Sequence, residues 1–302
     1  MSIKRLYIIG NGFDLHHDIH SSYHEFHDWL NSNGYSDEYD IESFFVNERG
    51  VVIDLWSSFE ANLACFNYSA FARHVASENP PDVTSEHFER TLSDAKCEVE
   101  NQLTDWGRNI RDGLIRWASQ LNSPNPKKKI KIDENNAYFI TFNYTNTLEG
   151  LYNIPAESIL HIHGEIGRGD SELLLGHGGM PQQIQFTKDL TEDDYADANE
   201  VMAGEDAANS AFMEFRKWQK PVDRLLNQYN SYFMALNNVE EVFVLGYSFS
   251  HIDQPYIDRV SSIISPKAKW IVSFHTNGDV DRCKNSLGNK DISFVRLSDL
   301  QV

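Results

Sequence analysis

Short apolar runs that end in glycine or polar residues constrain the fold of this chain most strongly. They are LYIIG (6–10), AYFITFNYT (137–145), ILHIHG (159–164), LLLGHG (173–178), VEEVFVLGYS (239–248), KWIVSFHT (269–276) and ISFVRL (292–297). Such runs are typical of parallel strands, because the helices that connect parallel strands cover both faces of the sheet. We therefore predict a single α/β domain over residues 1–302, built on a parallel sheet.

Two long stretches between these runs have a different pattern. From about residue 22 to residue 122 apolar side chains such as Tyr23, Phe26 and Leu30 recur at helical spacing, which predicts a large helical insertion. Residues 186–235 predict an acidic loop followed by an amphipathic helix over 212–234. The acidic part, 188–206, is a candidate lid.

Charge and cysteine content exclude several classes of protein. The 45 acidic against 26 basic residues give a net charge of -19, which repels polyphosphates and argues against a nucleic-acid partner. The 3 cysteines form no CxxC pair, so neither a disulfide framework nor a cysteine zinc site is indicated. Without a signal segment or an uncharged stretch of roughly 20 residues, we expect a soluble, cytoplasmic protein with no membrane contact.

Polar tips follow four of the predicted strands. They are GNGFD (10–14), TFNYT (141–145), HIHGE (161–165) and GYSFSHID (246–253). Open parallel sheets bind ligands beyond the carboxyl ends of their strands, near the point where the strand order reverses. We therefore expect these four tips to converge on one cleft.

The first tip carries two glycines after a strand. Gly10 and Gly12 would let the backbone approach a phosphate, with the following helix N-terminus assisting. Leu15 stands where the dinucleotide fingerprint GxGxxG has its third glycine. The alternative is a plain strand-to-helix turn in which Asp14 caps the helix.

An asparagine and two histidines mark the next two tips. Asn143 can donate and accept hydrogen bonds at once, which suits a ribose hydroxyl or a water molecule, although it could equally satisfy loop backbone. His161 and His163 fall on one strand face by the period of two. A histidine there could serve as a general base near neutral pH or have a structural role.

A histidine cluster invites a metal interpretation. Its members are His16, His17, His20, His24 and His27, several of which would lie along one face of a helix. The cluster lacks the HExxH pattern, and solvated polar faces explain most such clusters. We predict no metal cofactor.

The last tip offers Ser248, Ser250, His251 and Asp253. GYSFS does not match the GxSxG nucleophile elbow, so a hydrolase triad is not indicated. A loop that hydrogen-bonds a nucleotide fits this tip better.

Together these segments resemble the bacteriophage abortive infection AbiH family, which is itself similar to sirtuin-like NAD-binding domains. The motifs that carry the resemblance are IIGNGFDLHHDI (8–19) followed by SSYHEF (21–26), FITFNYTNTLE (139–149), HIHGEIG (161–167) and VLGYSFSHIDQPYI (244–257). The resemblance implies a Rossmann-like, sirtuin-like parallel sheet and a role in defence against phage.

Residue roles also follow from the resemblance. It implies that Asn143 touches the nicotinamide ribose and that His163 is the catalytic base. It also implies contacts to NAD from Gly10, Gly12, Gly246 and Ser248, and we predict that Asn11, Phe13, Asp14 and Thr145 of the same tips take part in NAD binding. Thr145 departs from the sirtuin motif, which has an aspartate at that position.

The resulting hypothesis is an NAD hydrolase that depletes NAD in infected cells, with NAD as substrate or ligand. A nucleotide-binding sensor without turnover is one alternative, motivated by Thr145. A metal-dependent nuclease using the histidine cluster and Asp14 is another. The expected partner is a small-molecule nucleotide; a homo-oligomer or a partner protein of a defence system stays open.

Overall fold

Strands and helices alternate through this chain, whose computed structural model describes residues 3–78, 88–121, 124–167, 173–179 and 195–300. The strands are β1 (Arg5–Ile9), β2 (Ala137–Thr141), β3 (Ile159–His161), β4 (Glu241–Leu245), β5 (Lys269–Ser273) and β6 (Asp291–Val295). The α-helices are α1 (Asn11–His16), α2 (Tyr23–Ser32), α3 (Phe59–Asn62), α4 (Tyr68–Glu78), α5 (Phe88–Ala118), α6 (Thr147–Tyr152), α7 (Tyr195–Arg216), α8 (Val222–Gln228), α9 (Asn230–Met234), α10 (Gln254–Ile263) and α11 (Asn277–Leu287). No described helix is both long and apolar enough to cross a lipid bilayer.

The strands form one parallel sheet in the order β3-β2-β1-β4-β5-β6. This is the order of doubly wound nucleotide-binding sheets, and it reverses between β1 and β4. The α/β fold with a parallel sheet is thus confirmed, and the architecture is compatible with a Rossmann-like fold.

One predicted strand was wrong. The run LLLGHG (173–178) forms no strand; within it only His177 makes an isolated bridge, to Gln219. Gly176, with a φ of +159°, lies so close to the Trp218 carbonyl that a Cβ would be 1.8 Å from that oxygen. The glycines therefore turn residues 176–178 toward the segment after α7, whereas Leu174, earlier in the run, hydrogen-bonds His163 and Tyr144 without forming a strand.

Apolar side chains cover both faces of the sheet, as the short runs predict. On β1, Leu6 and Ile8 belong to the core on one face, while Tyr7 and Ile9 belong to the core on the other. The Tyr7 ring stacks on Phe139 of β2 with the ring centroids 4.8 Å apart. Burial on both faces explains why the strands show no polar alternation.

The chain divides into two compact units. One comprises the described residues within 1–26, 114–175 and 221–302, and the other those within 27–113 and 176–220. The sheet and its four polar tips all belong to the first unit. The predicted single domain and the insertion limits near 22 and 122 stay predictions.

Several helix predictions need correction. The amphipathic helix over 212–234 is broken, because α7 ends at Arg216 and α8 starts only after Pro221, whose ring disfavours a continuous helix. The acidic loop over 188–206 is helical from Tyr195 onward, and residues 188–194 lie outside the described residues. Within the predicted helical insertion, Phe66 is not helical but forms a bridge with Phe45.

Candidate active site

The turn after β1 packs directly against the turn after β4. The Gly12 amide donates a hydrogen bond to the Gly246 carbonyl at 2.8 Å, and the Gly10 amide donates to the Leu245 carbonyl at 3.0 Å. A Cβ on Gly246, whose φ is +65°, would lie 2.0 Å from the Phe13 nitrogen. The glycines therefore permit two loops to touch, and phosphate binding by Gly10 and Gly12 stays a prediction.

Asp14 lies buried at the base of this turn and holds the tip of β2. Its carboxylate accepts hydrogen bonds from Thr145 Oγ1 at 2.6 Å and from Thr147 Oγ1 at 2.9 Å. Burial raises the pKa of Asp14 to about 6, although these hydroxyls and Asn143 act in the opposite direction. Asp14 is not the helix cap considered above, because Gly10 occupies the N-cap position of α1.

Asn143 joins the tips of β1 and β2. Its Nδ2 donates to the Gly10 carbonyl at 3.1 Å, and its backbone amide donates to Thr141 Oγ1, also at 3.1 Å. The side chain is buried. Asn143 thus satisfies loop backbone, one of the two roles open from the sequence, and its contact with a ribose or water stays a prediction.

His163 lies against an acidic side chain from the last tip. Its Nε2 is 3.3 Å from Asp253 Oδ1, and both side chains are buried. The imidazole also packs edge-on against the Phe142 ring, with centroids 5.3 Å apart. In triad-type sites a carboxylate beside an imidazole fixes the orientation of the ring.

His161 has different neighbours, so the expectation that the two histidines share a strand face was wrong. β3 ends at His161, and the chain turns through Gly164 with a φ of +91°. His161 Nε2 lies 2.9 Å from Glu149 Oε1 and 4.0 Å from Glu165 Oε2. The turn therefore separates an Asp-paired histidine from a Glu-paired one.

Three other residues predicted to contact NAD lie in different surroundings, and those contacts stay predictions. Phe13 is fully buried in the core. The Asn11 side chain is exposed and hydrogen-bonds Ser21, with Ser21 Oγ donating to Asn11 Oδ1 at 2.6 Å. Ser248 is exposed, and its carbonyl accepts a hydrogen bond from Arg282 Nε at 3.0 Å.

The histidine cluster over 16–27 does not lie along one helix, so that expectation was wrong as well. α1 and α2 are separate helices joined by an irregular segment. His17 is buried, with Nδ1 2.7 Å from the Phe13 carbonyl and Nε2 2.7 Å from the Tyr152 hydroxyl. Both ring nitrogens have structural partners, and the nuclease hypothesis loses its metal-binding helix.

The structure thus brings Gly10, Asp14, Asn143 and Thr145 into one hydrogen-bonded group at the tips of β1 and β2, while Gly12 bonds Gly246 after β4. Neither Glu149 nor Glu165 was assigned a role from the sequence, and Asp253 had no assigned partner. The one local signal that His161 lies beside glutamates was Glu165, four residues after it in HIHGE.

A family model described as bacteriophage abortive infection AbiH matches residues 6–274, a range that includes all four strand tips. The chain belongs to the AbiH family. AbiH membership implies a role in abortive infection, the defence in which an infected cell stops phage propagation. No significant match was found for this AbiH chain among curated proteins or among solved structures.

Proposed function

We propose that this chain acts in abortive infection as an NAD hydrolase with a sirtuin-like site at the carboxyl edge of its sheet. The observation that supports this most is the buried pair of His163 and Asp253, 3.3 Å apart. The pair lies beyond strands whose order is that of nucleotide-binding sheets. A histidine held by a carboxylate at this edge has the arrangement that a general base needs.

In the proposed reaction, Asn143 positions the attacking water or a ribose hydroxyl. His163 accepts a proton as the bond between nicotinamide and ribose opens through an oxocarbenium-like state. The bonding electron pair leaves with the nicotinamide nitrogen, and water adds to the ribose carbon, so NAD and water yield nicotinamide, ADP-ribose and a proton. Asp253 stabilises the imidazolium form of His163 until that proton is released.

Loss of NAD, followed with purified protein, tests the proposal. His163→Ala should lower turnover by about a hundredfold to ten-thousandfold, the usual contribution of acid–base catalysis. His163→Gln retains an amide donor toward Asp253, so it checks that any loss does not reflect an unpaired buried carboxylate. His251→Ala removes an exposed histidine from the segment that carries Asp253 and should keep wild-type turnover. Equal rates for all four proteins, or no NAD loss by any of them, would remove the hypothesis.

A second candidate is a nucleotide-binding sensor without turnover. The sensor is favoured by Thr145, which stands in place of the sirtuin aspartate and whose hydroxyl donates a hydrogen bond to Asp14. Calorimetric binding of NAD or ADP-ribose without consumption would support this candidate over the hydrolase.

A further inference from the structure

We propose that Glu149, His161 and Glu165, none of which is assigned to NAD hydrolysis, bind a divalent transition-metal cation. One ligand atom from each side chain lies within 4.8 Å of the other two. Glu149 is in the first turn of α6, His161 ends β3, and Glu165 follows the turn at Gly164. Three separate pieces of backbone therefore direct ligands to one point.

The spacing of the ligand atoms suits a shared ion. His161 Nε2 is 2.9 Å from Glu149 Oε1 and 4.0 Å from Glu165 Oε2. Adjacent ligands bound at about 2.1 Å from an ion are on the order of 3 Å apart, and opposite ligands about 4.2 Å apart. Small side-chain shifts would bring all three atoms to bonding distance.

The second ring nitrogen of His161 supports the same conclusion. Its Nδ1 lies 3.4 Å from the Asn143 carbonyl, which can only accept a hydrogen bond. Nδ1 therefore carries a hydrogen, which leaves Nε2, the nitrogen that faces Glu149 and Glu165, as the atom that would bind a cation. Metal-binding histidines commonly donate their other N–H to a backbone carbonyl in this way.

An independent observation comes from the other oxygen of Glu149. Glu149 Oε2 is buried and has no hydrogen-bond partner among the described residues. A buried carboxylate oxygen without a partner is costly, and buried polar atoms usually have one. A cation beside Glu149 would supply the missing interaction.

The ligand set indicates the class of cation. Two carboxylates and a neutral imidazole carry two negative charges, which a divalent ion neutralises. Imidazole suits zinc, iron and related transition metals, whereas purely oxygen sites suit magnesium and calcium. Three protein ligands leave at least one position for water or for an oxygen atom of a bound anion.

Titration calorimetry on protein without an affinity tag, first stripped with a chelator, tests the site with Mn²⁺ and with Zn²⁺. Wild type should bind one equivalent and melt at a higher temperature with the cation. Glu149→Gln and Glu165→Gln should each weaken binding at least tenfold. The matched control is Glu157→Gln, which changes an exposed carboxylate on the connection between α6 and β3 and should bind as wild type does.

Circular dichroism of each variant checks that it folds, and Glu165→Gln keeps the test decisive if Glu149→Gln does not. The proposal is overturned if wild type binds no cation, or if Glu157→Gln weakens binding as much as Glu165→Gln. It is also overturned if Glu149→Gln lowers the melting temperature while no cation affects wild type, because the cluster would then be a simple ion pair with protonated His161. Since cation binding is the readout, the result does not depend on NAD turnover.

Discussion

Thr145 Oγ1 donates a hydrogen bond of 2.6 Å to Asp14 Oδ2, and this bond joins the tip of β2 to the helix that follows β1. The sirtuin motif has an aspartate where Thr145 stands. In this chain a second carboxylate there would lie against Asp14. The threonine at position 145 is therefore linked to the presence of Asp14 after the first glycine turn.

Replacing Thr145 should reveal this coupling. Thr145→Val removes a donor to a buried carboxylate and should lower the free energy of unfolding by about 1.5–3 kcal/mol. Thr145→Asp should cost more, because it places two carboxylates in contact. Urea unfolding at neutral pH measures both. If Thr145→Asp is as stable as wild type, the hydrogen bond to Asp14 does not constrain this position.

Asp14 should also make stability depend on pH. Burial raises the pKa of its carboxyl to about 6 in the folded chain, from 3.8. The folded state then binds the extra proton more readily, so this group stabilises the fold at low pH and the contribution is lost as the pH rises through 6. Between pH 4.5 and pH 7.5 the loss should be about 2 kcal/mol.

The measurement is the difference in unfolding free energy between wild type and Asp14→Asn at the two pH values. The variant has no ionisable group here, so its stability relative to wild type should rise with pH. Asp28→Asn, which alters an exposed carboxylate, controls for the change in net charge. A constant difference between wild type and Asp14→Asn would show that the carboxyl does not titrate in this range.

The fold was largely predictable because each strand is a self-contained apolar run. Leu6 to Ile9 are all buried, on alternating faces of β1, and a run of that kind has few alternatives to a central parallel strand. LLLGHG failed because apolar content alone does not show whether a run joins the sheet. Its direction depends on Gly176 and on the neighbouring Trp218, which local sequence cannot reveal.

The residues of the site were easier to predict from the sequence than the contacts between them. His163 could be named from an HG motif, but its contact with Asp253 depends on where the segment after β4 lies in three dimensions. The contact between Gly12 and Gly246 was hidden for the same reason. Period-two spacing also misassigned His163, because the strand ends two residues before it.

The contact between the two glycine turns gives a steric prediction. Gly246→Ala would place a methyl group 2.0 Å from the Phe13 nitrogen, at a residue with a φ of +65°. The backbone can shift easily at neither Gly246 nor Phe13, so the free energy of unfolding should fall by at least about 3 kcal/mol. Gly34 also has a positive φ, but a Cβ there would meet nothing within 4 Å. Gly34→Ala should therefore lower the free energy of unfolding by only about 1–2 kcal/mol. Similar losses in thermal or urea unfolding for both variants would contradict the close approach.

Asp253 should act on NAD turnover through His163. Asp253→Asn keeps the shape of the side chain but removes the charge that stabilises the imidazolium, so kcat should fall roughly tenfold to a thousandfold, less than for His163→Ala. Because Asp253 is assigned no contact with the substrate, KM should change little. Asp258→Asn, an exposed site on α10, is the control and should keep both constants. Steady-state kinetics that show a rise in KM with unchanged kcat, or a loss explained by a lower melting temperature alone, would remove Asp253 from the mechanism and leave it a structural partner of a buried histidine.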